Sequence, residues 1–327
     1  MFTLGILREY KEPPDRRVAF SPAQCRTIVE SYPGAKLIVE PSPNRIFTDD
    51  AYREAGIIVD SDLTECDILF GIKEVPAYKL IPNKTYLFFS HTIKLQPHNR
   101  DLFKAIVKNG IRLIDYECLK WPVGSRVLGF GRYAGIVGTY EAFKAIGIRK
   151  GLYQLPATYT CNDYLHLKEE LQKVLPIIKS QNLRIVITGS GRVAHGCEEL
   201  MGFMQIEQVT PEAYLNNTFN ETVYTLLDSH HLYERKDGEP WNHEHFFKNH
   251  ALYRSIFEPY TQCTDLLING VYWDSAMPPH FTVEQTNSPD FRIRVIADIS
   301  CDIEGSVPIT LRDTTQDEPV MGYNPST

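Results

Sequence analysis

The stretch that most narrows the folds open to this chain is residues 183–196, LRIVITGSGRVAHG. Leu183-Arg184-Ile185-Val186-Ile187-Thr188 is short, apolar and β-branched, the composition of a strand covered on both faces. It runs directly into Gly189-x-Gly191, and a helical pattern follows through Leu200 and Met201. A strand, a glycine turn and a helix in succession form the context of a dinucleotide site. Gly189 would make the tight turn, and Gly191 would let a pyrophosphate approach the backbone. The helix N-terminus opened by Arg192, Val193 and Ala194 would present N–H groups and a positive dipole end to the phosphates. Ala194 takes the third small position, and Gly196 follows. The alternative is a glycine turn in an α/β sheet that binds nothing.

The 327 residues suffice for two domains. A hydrophobic content of 43% with 23% charged residues describes a soluble globular protein. The net charge of −7 argues against a general nucleic-acid or anionic-membrane binder. Seven cysteines, an odd number without a CxxC pair, fit reduced thiols in a cytoplasmic protein. The N-terminus is charged by residue 8 and lacks the apolar core of a signal peptide. No apolar run approaches the length of a membrane span.

Along the chain, strands are expected at 2–7, 36–40, 57–59, 67–72, 85–90 and 112–116. Helices are expected at 22–31, 49–55 and 99–108. Ser21-Pro22-Ala23-Gln24 is a helix start with N-cap Ser, Pro at the first helical position and Gln closing a capping box. In 99–108, Leu102, Phe103, Ile106 and Val107 share one apolar face. Long helices are expected at 134–146 and 163–180. After the glycine turn come strands at 205–209, 265–269 and 294–299 and a helix at 252–260, with WNHEHFFKNH as a surface excursion. Alternating strands and helices predict an α/β fold of two Rossmann-like domains with parallel sheets flanking a cleft. The expected division is a substrate domain over 1–130, interdomain helices over 131–182 and a dinucleotide-binding domain over 183–327.

The first domain carries polar side chains just past its strand ends, where open α/β sheets bind ligands. Lys73-Glu74 follows DILFGI, His91 follows TYLFFS, Asp115 and Glu117 flank the end of RLIDY, and Arg17 precedes the first helix. Each alone fits a solvated or structural role. As a set on one sheet they suggest carboxylate binding and proton transfer.

The segments DRRVAFSP, CDILFGIKEVP, YLFFSHTIKLQ, LIDYE and SRVLGFGRYAGIVG occur in this order. They resemble the lysine-forming saccharopine dehydrogenases, above all the lysine–ketoglutarate reductase domain of bifunctional lysine-degrading enzymes. Alanine dehydrogenase and the transhydrogenase α-subunit are wider kin. The resemblance implies NAD or NADP in the second domain and, as partners, a small-molecule amino acid and a 2-oxo acid. A homo-oligomer is compatible with it. By resemblance, Lys73 and His91 fall on the acid–base pair, Arg17 and Arg126 on carboxylate-binding arginines, and Glu74, Gln96 and Glu117 on surrounding polar residues. Gln96 in HTIKLQ matches the saccharopine pattern, which alanine dehydrogenases lack. The alternatives are an enzyme for a smaller amino acid and an NAD(P)-binding protein without catalysis.

Three features depart from that pattern. The acid that ends the second Rossmann strand and holds the ribose hydroxyls is missing at Val209-Thr210, so NAD and NADP are not distinguished; Arg192 could meet a phosphate or simply start a helix. Asp298 closes RVIAD, which the resemblance places beside the nicotinamide, although a capping role fits equally. The C-terminal segment that returns to the first domain in the family is short or missing. His243, His245 and His250 lack a fourth metal ligand, and no metal is expected.

Overall fold

The short apolar runs of the first part of the chain become strands, and the helix-start signals between them become helices. The computed structural model describes residues 2–11 and 14–326. Two compact units, Met1–Gly129 and Phe130–Thr327, divide the chain. In the first, the order is β1 (Phe2–Ile6), α1 (Pro22–Ser31), β2 (Ala35–Val39), α2 (Asp49–Glu54), β3 (Ile58–Val59), β4 (Ile68–Phe70), β5 (Thr85–Phe88), α3 (Arg100–Lys108) and β6 (Arg112–Asp115). The capping box forms as expected: Ser21 Oγ accepts from Gln24 N–H, and Gln24 Oε1 accepts from Ser21 N–H.

These strands pair in parallel in the order β3-β2-β1-β4-β5-β6. Side chains alternate between the faces. Leu4, Ile6, Leu37 and Val39 pack with Tyr52 and Ile57 on one side, and Ile38, Leu69, Tyr86 and Phe88 with Leu102 and Ile106 on the other. The apolar face of α3 is only half used. Leu102 and Ile106 are buried, whereas Phe103 and Val107 are exposed. A single i, i+4 row seats the helix on the sheet.

The second unit contains α4 (Gly131–Lys150), α5 (Tyr164–Lys179), β7 (Arg184–Thr188), α6 (Arg192–Met204), β8 (Glu207–Gln208), α7 (Pro211–Asn216), β9 (Val223–Leu227), α8 (Ser229–Leu232), β10 (Tyr233–Arg235), α9 (His243–Lys248), β11 (Tyr253–Ser255), α10 (Glu258–Thr261), β12 (Leu266–Asn269) and β13 (Val295–Asp298). Its sheet is parallel in the order β13-β12-β7-β9-β8. β10 and β11 form a small antiparallel ribbon. Ile185 and Ile187 enter a core with α4, α5 and α6, and Val186 enters another with Leu232, Phe246, Tyr253 and Phe257. Among the described residues no helix is long and apolar enough to cross a membrane.

Two local expectations are corrected. Residues 252–260 are not one helix: a 3₁₀ turn (His250–Leu252) leads into β11, and α10 starts afresh with Pro259 in its first turn. A proline inside a continuous helix would remove a ladder bond and clash with the preceding turn. WNHEHFFKNH is also more than a surface excursion. Phe246 is buried, with ring centroids 4.9 Å from Tyr233 and 5.0 Å from Tyr253.

α4 and α6 meet backbone to backbone. A Cβ on Gly135 would lie 2.0 Å from the Val193 carbonyl oxygen, and one on Gly196 would lie 2.0 Å from that of Arg132. The end of β12 is secured by a buried polar network. Asn269 Oδ1 accepts from Thr188 Oγ1 (2.6 Å) and His280 Nε2 (2.9 Å). Its amide donates to Asp298 Oδ1 and Ser306 Oγ, both at 2.8 Å. His280 therefore carries its proton on Nε2, and burial pushes its pKa down to about 3.

Gly135→Ala should destabilise the protein by about 2 kcal/mol or more through backbone overpacking. Gly202→Ala on α6, where a Cβ meets nothing within 4 Å, should gain up to about 1 kcal/mol. Equal urea midpoints for the two variants would contradict the close helix approach. The folded pKa of His280 lies below its unfolded value. Stability is therefore lost as pH falls below about 6.5, by about 2 kcal/mol down to pH 5. Urea unfolding at both pH values should show this component vanish in His280→Gln; an unchanged pH dependence would show that His280 is not held neutral.

Candidate functional site

Parallel pairing puts the C-terminal end of every strand of a sheet on the same edge. In the first unit that edge receives Glu9 after β1, Lys73 and Glu74 after β4, Ser90 and His91 after β5, and Tyr116 and Glu117 after β6. The strand order reverses between β1 and β4, so Glu9 and Lys73 flank the switch point. Glu9 accepts from the backbone N–H groups of Ile72 and Lys73, each at 2.8 Å, and ties the two strand ends together. His91 Nδ1 is hydrogen-bonded to Glu74 Oε1. His91 adopts the left-handed conformation (φ 52°), uncommon outside glycine, as the chain leaves β5. Ser90 Oγ donates to Asp115 Oδ2, which fixes β5 against β6.

Charge at this edge is finely opposed. Lys73 titrates below the ordinary lysine range, mainly through burial and further through the cations Arg17 and Lys11, while Glu74 and Asp15 act the other way. Burial raises Glu9, and its two backbone hydrogen bonds restrain the rise. Burial pushes Glu74 up as well, but its backbone hydrogen bond, His91 and Lys73 outweigh it, and the net shift is downward. Arg17 forks onto Asp15, with Nε 2.9 Å from Oδ1 and Nη2 2.5 Å from Oδ2. Arg126 Nη2 donates to Glu117 Oε1 at 2.9 Å, and Lys94 lies 3.8 Å from the same oxygen. Glu117 is buried, and its Oε2 has no hydrogen-bond partner among the described residues. Gln96 is exposed in the turn before Pro97–Asn99.

In the second unit the expected strand, turn and helix are present. Gly189 has φ +104°, and a Cβ there would lie 2.7 Å from the Gly270 carbonyl oxygen. The turn thus needs glycine both for its conformation and for its approach to the segment after β12. Gly191 is the N-cap of α6, with no side-chain cap, and a Cβ on it would meet open space. An uncapped first turn facing open space fits an anionic group such as a pyrophosphate. Ala194 is fully buried, and Val193 is half-buried against the core, so these two residues offer backbone groups. Arg192 is exposed at the first helical position. Asp298 is engaged internally: Oδ1 accepts from Asn269 and Ser300, and Oδ2 from Thr310.

Glu9, Asp15 and Asp228 are not among the residues expected from the sequence; Asp15 is placed by its fork with Arg17. Glu9 sits just past β1, where the strand-end rule already pointed. Asp228 follows β9, a strand whose apolar run VYTLL was not recognised. Among the described residues, Asp228, His230 and His231 also form the one group of three side chains spaced to hold a metal ion, with donor atoms within 4.8 Å. The histidines of WNHEHFFKNH do not group in this way; His245 Nδ1 instead lies 3.0 Å from Tyr253 Oη.

Residues 5–137 match the family model described as alanine dehydrogenase/PNT, N-terminal domain. The mitochondrial α-aminoadipic semialdehyde synthase of Bos taurus is 30% identical over 98% of this chain, which spans 38% of that relative's length. A saccharopine dehydrogenase [NAD(+), L-lysine-forming] of Emericella nidulans is 25% identical over 96% of this chain and 79% of its own. The solved structure of an L-alanine dehydrogenase superposes with a TM-score of 0.62 at 18% identity, covering 98% of this chain and 80% of that one. The chain therefore has a two-domain Rossmann-like fold and is similar to the α-aminoadipic semialdehyde synthases and the lysine-forming saccharopine dehydrogenases, and its residues 5–137 match the alanine dehydrogenase/PNT N-terminal domain.

Proposed function

We propose that this chain is an NAD(P)-dependent oxidoreductase of the saccharopine dehydrogenase (L-lysine-forming) type. It interconverts a secondary amine with an amino acid and a 2-oxo acid. The observation that carries this is the gathering of Lys73, Glu74 and His91 with Glu9, Asp15 and Arg17 at one sheet edge. The similarity to proteins named for saccharopine chemistry supports this substrate class over a smaller amino acid. We assign the substrate and acid–base groups to residues 1–130 and the dinucleotide to residues 183–327, with 131–182 between them.

Gly189, Gly191 and the first turn of α6 would hold the pyrophosphate, and the nicotinamide supplies the hydride acceptor or donor. Every other step is proton management by the chain. Loss of hydride from a secondary amine leaves a protonated imine; water adds to it with release of a proton, and the carbinolamine, protonated on nitrogen, then splits into an amine and a 2-oxo acid. Glu74 holds the Nδ1 side of His91, which directs Nε2 to exchange protons with substrate. Lys73, with its pKa lowered by burial and neighbouring cations, releases and takes up a proton nearer neutrality than an ordinary lysine. Arg17 and Arg126 bind substrate carboxylates, each aimed by an acidic partner, Asp15 and Glu117.

Saccharopine should be turned over with NAD or NADP, and Lys73→Met and His91→Asn should each lower kcat by about 10²-fold or more. Glu74→Gln removes the stronger of the two charges that support the Lys73 ammonium, so the Lys73 limb of the pH–rate profile should move to lower pH. Turnover of alanine without saccharopine would overturn the substrate assignment. Unchanged rates and pH profiles in the three variants would overturn the residue assignment.

A further inference from the structure

The order of strands in the second sheet bears on which dinucleotide is bound. In a glycine-turn site the adenosine ribose lies over the C-terminal end of the strand next to the turn-bearing strand, on the side away from the switch point, where an acid takes its hydroxyls. Sequence order would make that neighbour β8, which ends without an acid. The structure instead inserts β9 between β7 and β8. Adjacent strands lie about 4.8 Å apart, so the end of β8 is displaced from β7 by about two such spacings. β9 is in register with β7 to its last residue, Thr188 opposite Leu227. Gly189 N–H donates to the Leu227 carbonyl at 2.8 Å. The next residue is Asp228.

We infer that Asp228 is the residue that binds the adenosine ribose hydroxyls and selects NAD over NADP. This rests on the proposal that the glycine turn holds a dinucleotide. The Asp228 carboxylate is about one-third exposed, at the mouth of the turn. It is already oriented: Oδ1 accepts from His230 N–H at 3.0 Å and meets His230 Nδ1 and, at 3.1 Å, His231 Nδ1. Those contacts all fall on Oδ1, which leaves Oδ2 to accept from a ribose hydroxyl. A carboxylate accepts two hydrogen bonds from a vicinal diol and repels a 2′-phosphate in the same place. His230 and His231 are the titratable neighbours of this carboxylate. Their rings, with centroids 3.7 Å apart, stand beside the acid as its partners.

The test is a binding titration of the full chain with NADH and with NADPH, read by nicotinamide fluorescence and independent of turnover. The native chain should bind NADH at least about tenfold more tightly. Asp228→Asn keeps a capping oxygen for α8 and should lose about tenfold in NADH affinity while the preference over NADPH collapses. An unchanged thermal midpoint shows that this is not unfolding. NADPH preferred by the native chain, or the NADH preference retained in Asp228→Asn, overturns this assignment alone. Binding of neither nucleotide overturns it together with the dinucleotide site. Selective NADH binding without saccharopine turnover overturns the proposed reaction and leaves Asp228 in its role.

Discussion

Parallel hydrogen bonding between strands is the constraint on which everything else in this molecule depends. A parallel ladder forces each strand to return through a crossover, and it brings all C-terminal ends to one edge. In the first unit the residues leaving β1, β4, β5 and β6 are thereby collected, though Glu9 and Glu117 are more than a hundred residues apart in the chain. The ladder is held by apolar side chains on both faces of the sheet. The charged groups can then gather at its edge without disturbing the core.

That edge also shows how the chemistry of a group depends on its neighbours. Lys73 is drawn below the ordinary range by burial and by two cations, yet Glu74 and Asp15 limit the effect. The same Glu74 holds His91, whose left-handed backbone turns the chain sharply out of β5. One carboxylate thus serves both an imidazole and an ammonium. In the second unit the buried Asn269–His280 network supports the end of β12, against which Gly189 packs. The glycine turn is positioned by hydrogen bonds that lie outside its own motif.

Much of the architecture was legible because its signals are local. The capping box of Ser21 and Gln24 and the glycine turn each involve contacts within a few residues. The polar residues past the strand ends were legible for the same reason, once strands were recognised by their apolar runs. The elements that went unseen are those whose identity depends on distant partners. β9 is a five-residue run that becomes a strand by pairing with β7 and β8. β11 is made a strand by β10. The helix α3 was legible, but not that it buries one apolar row and leaves Phe103 and Val107 outside.

By itself, then, the sequence determined an α/β fold of alternating strands and helices, the glycine turn at Gly189 and Gly191, and the set of polar residues offered at strand ends. Periodicity and capping are properties of neighbouring residues, so they are written in order along the chain. Only the tertiary structure decided which strand lies beside β7, and so which acid stands next to the turn. Strand order is a choice among non-local pairings of nearly interchangeable apolar runs. It is settled by packing across the whole sheet, and it moved the acid next to the turn from the end of β8, where it was sought, to Asp228 after β9.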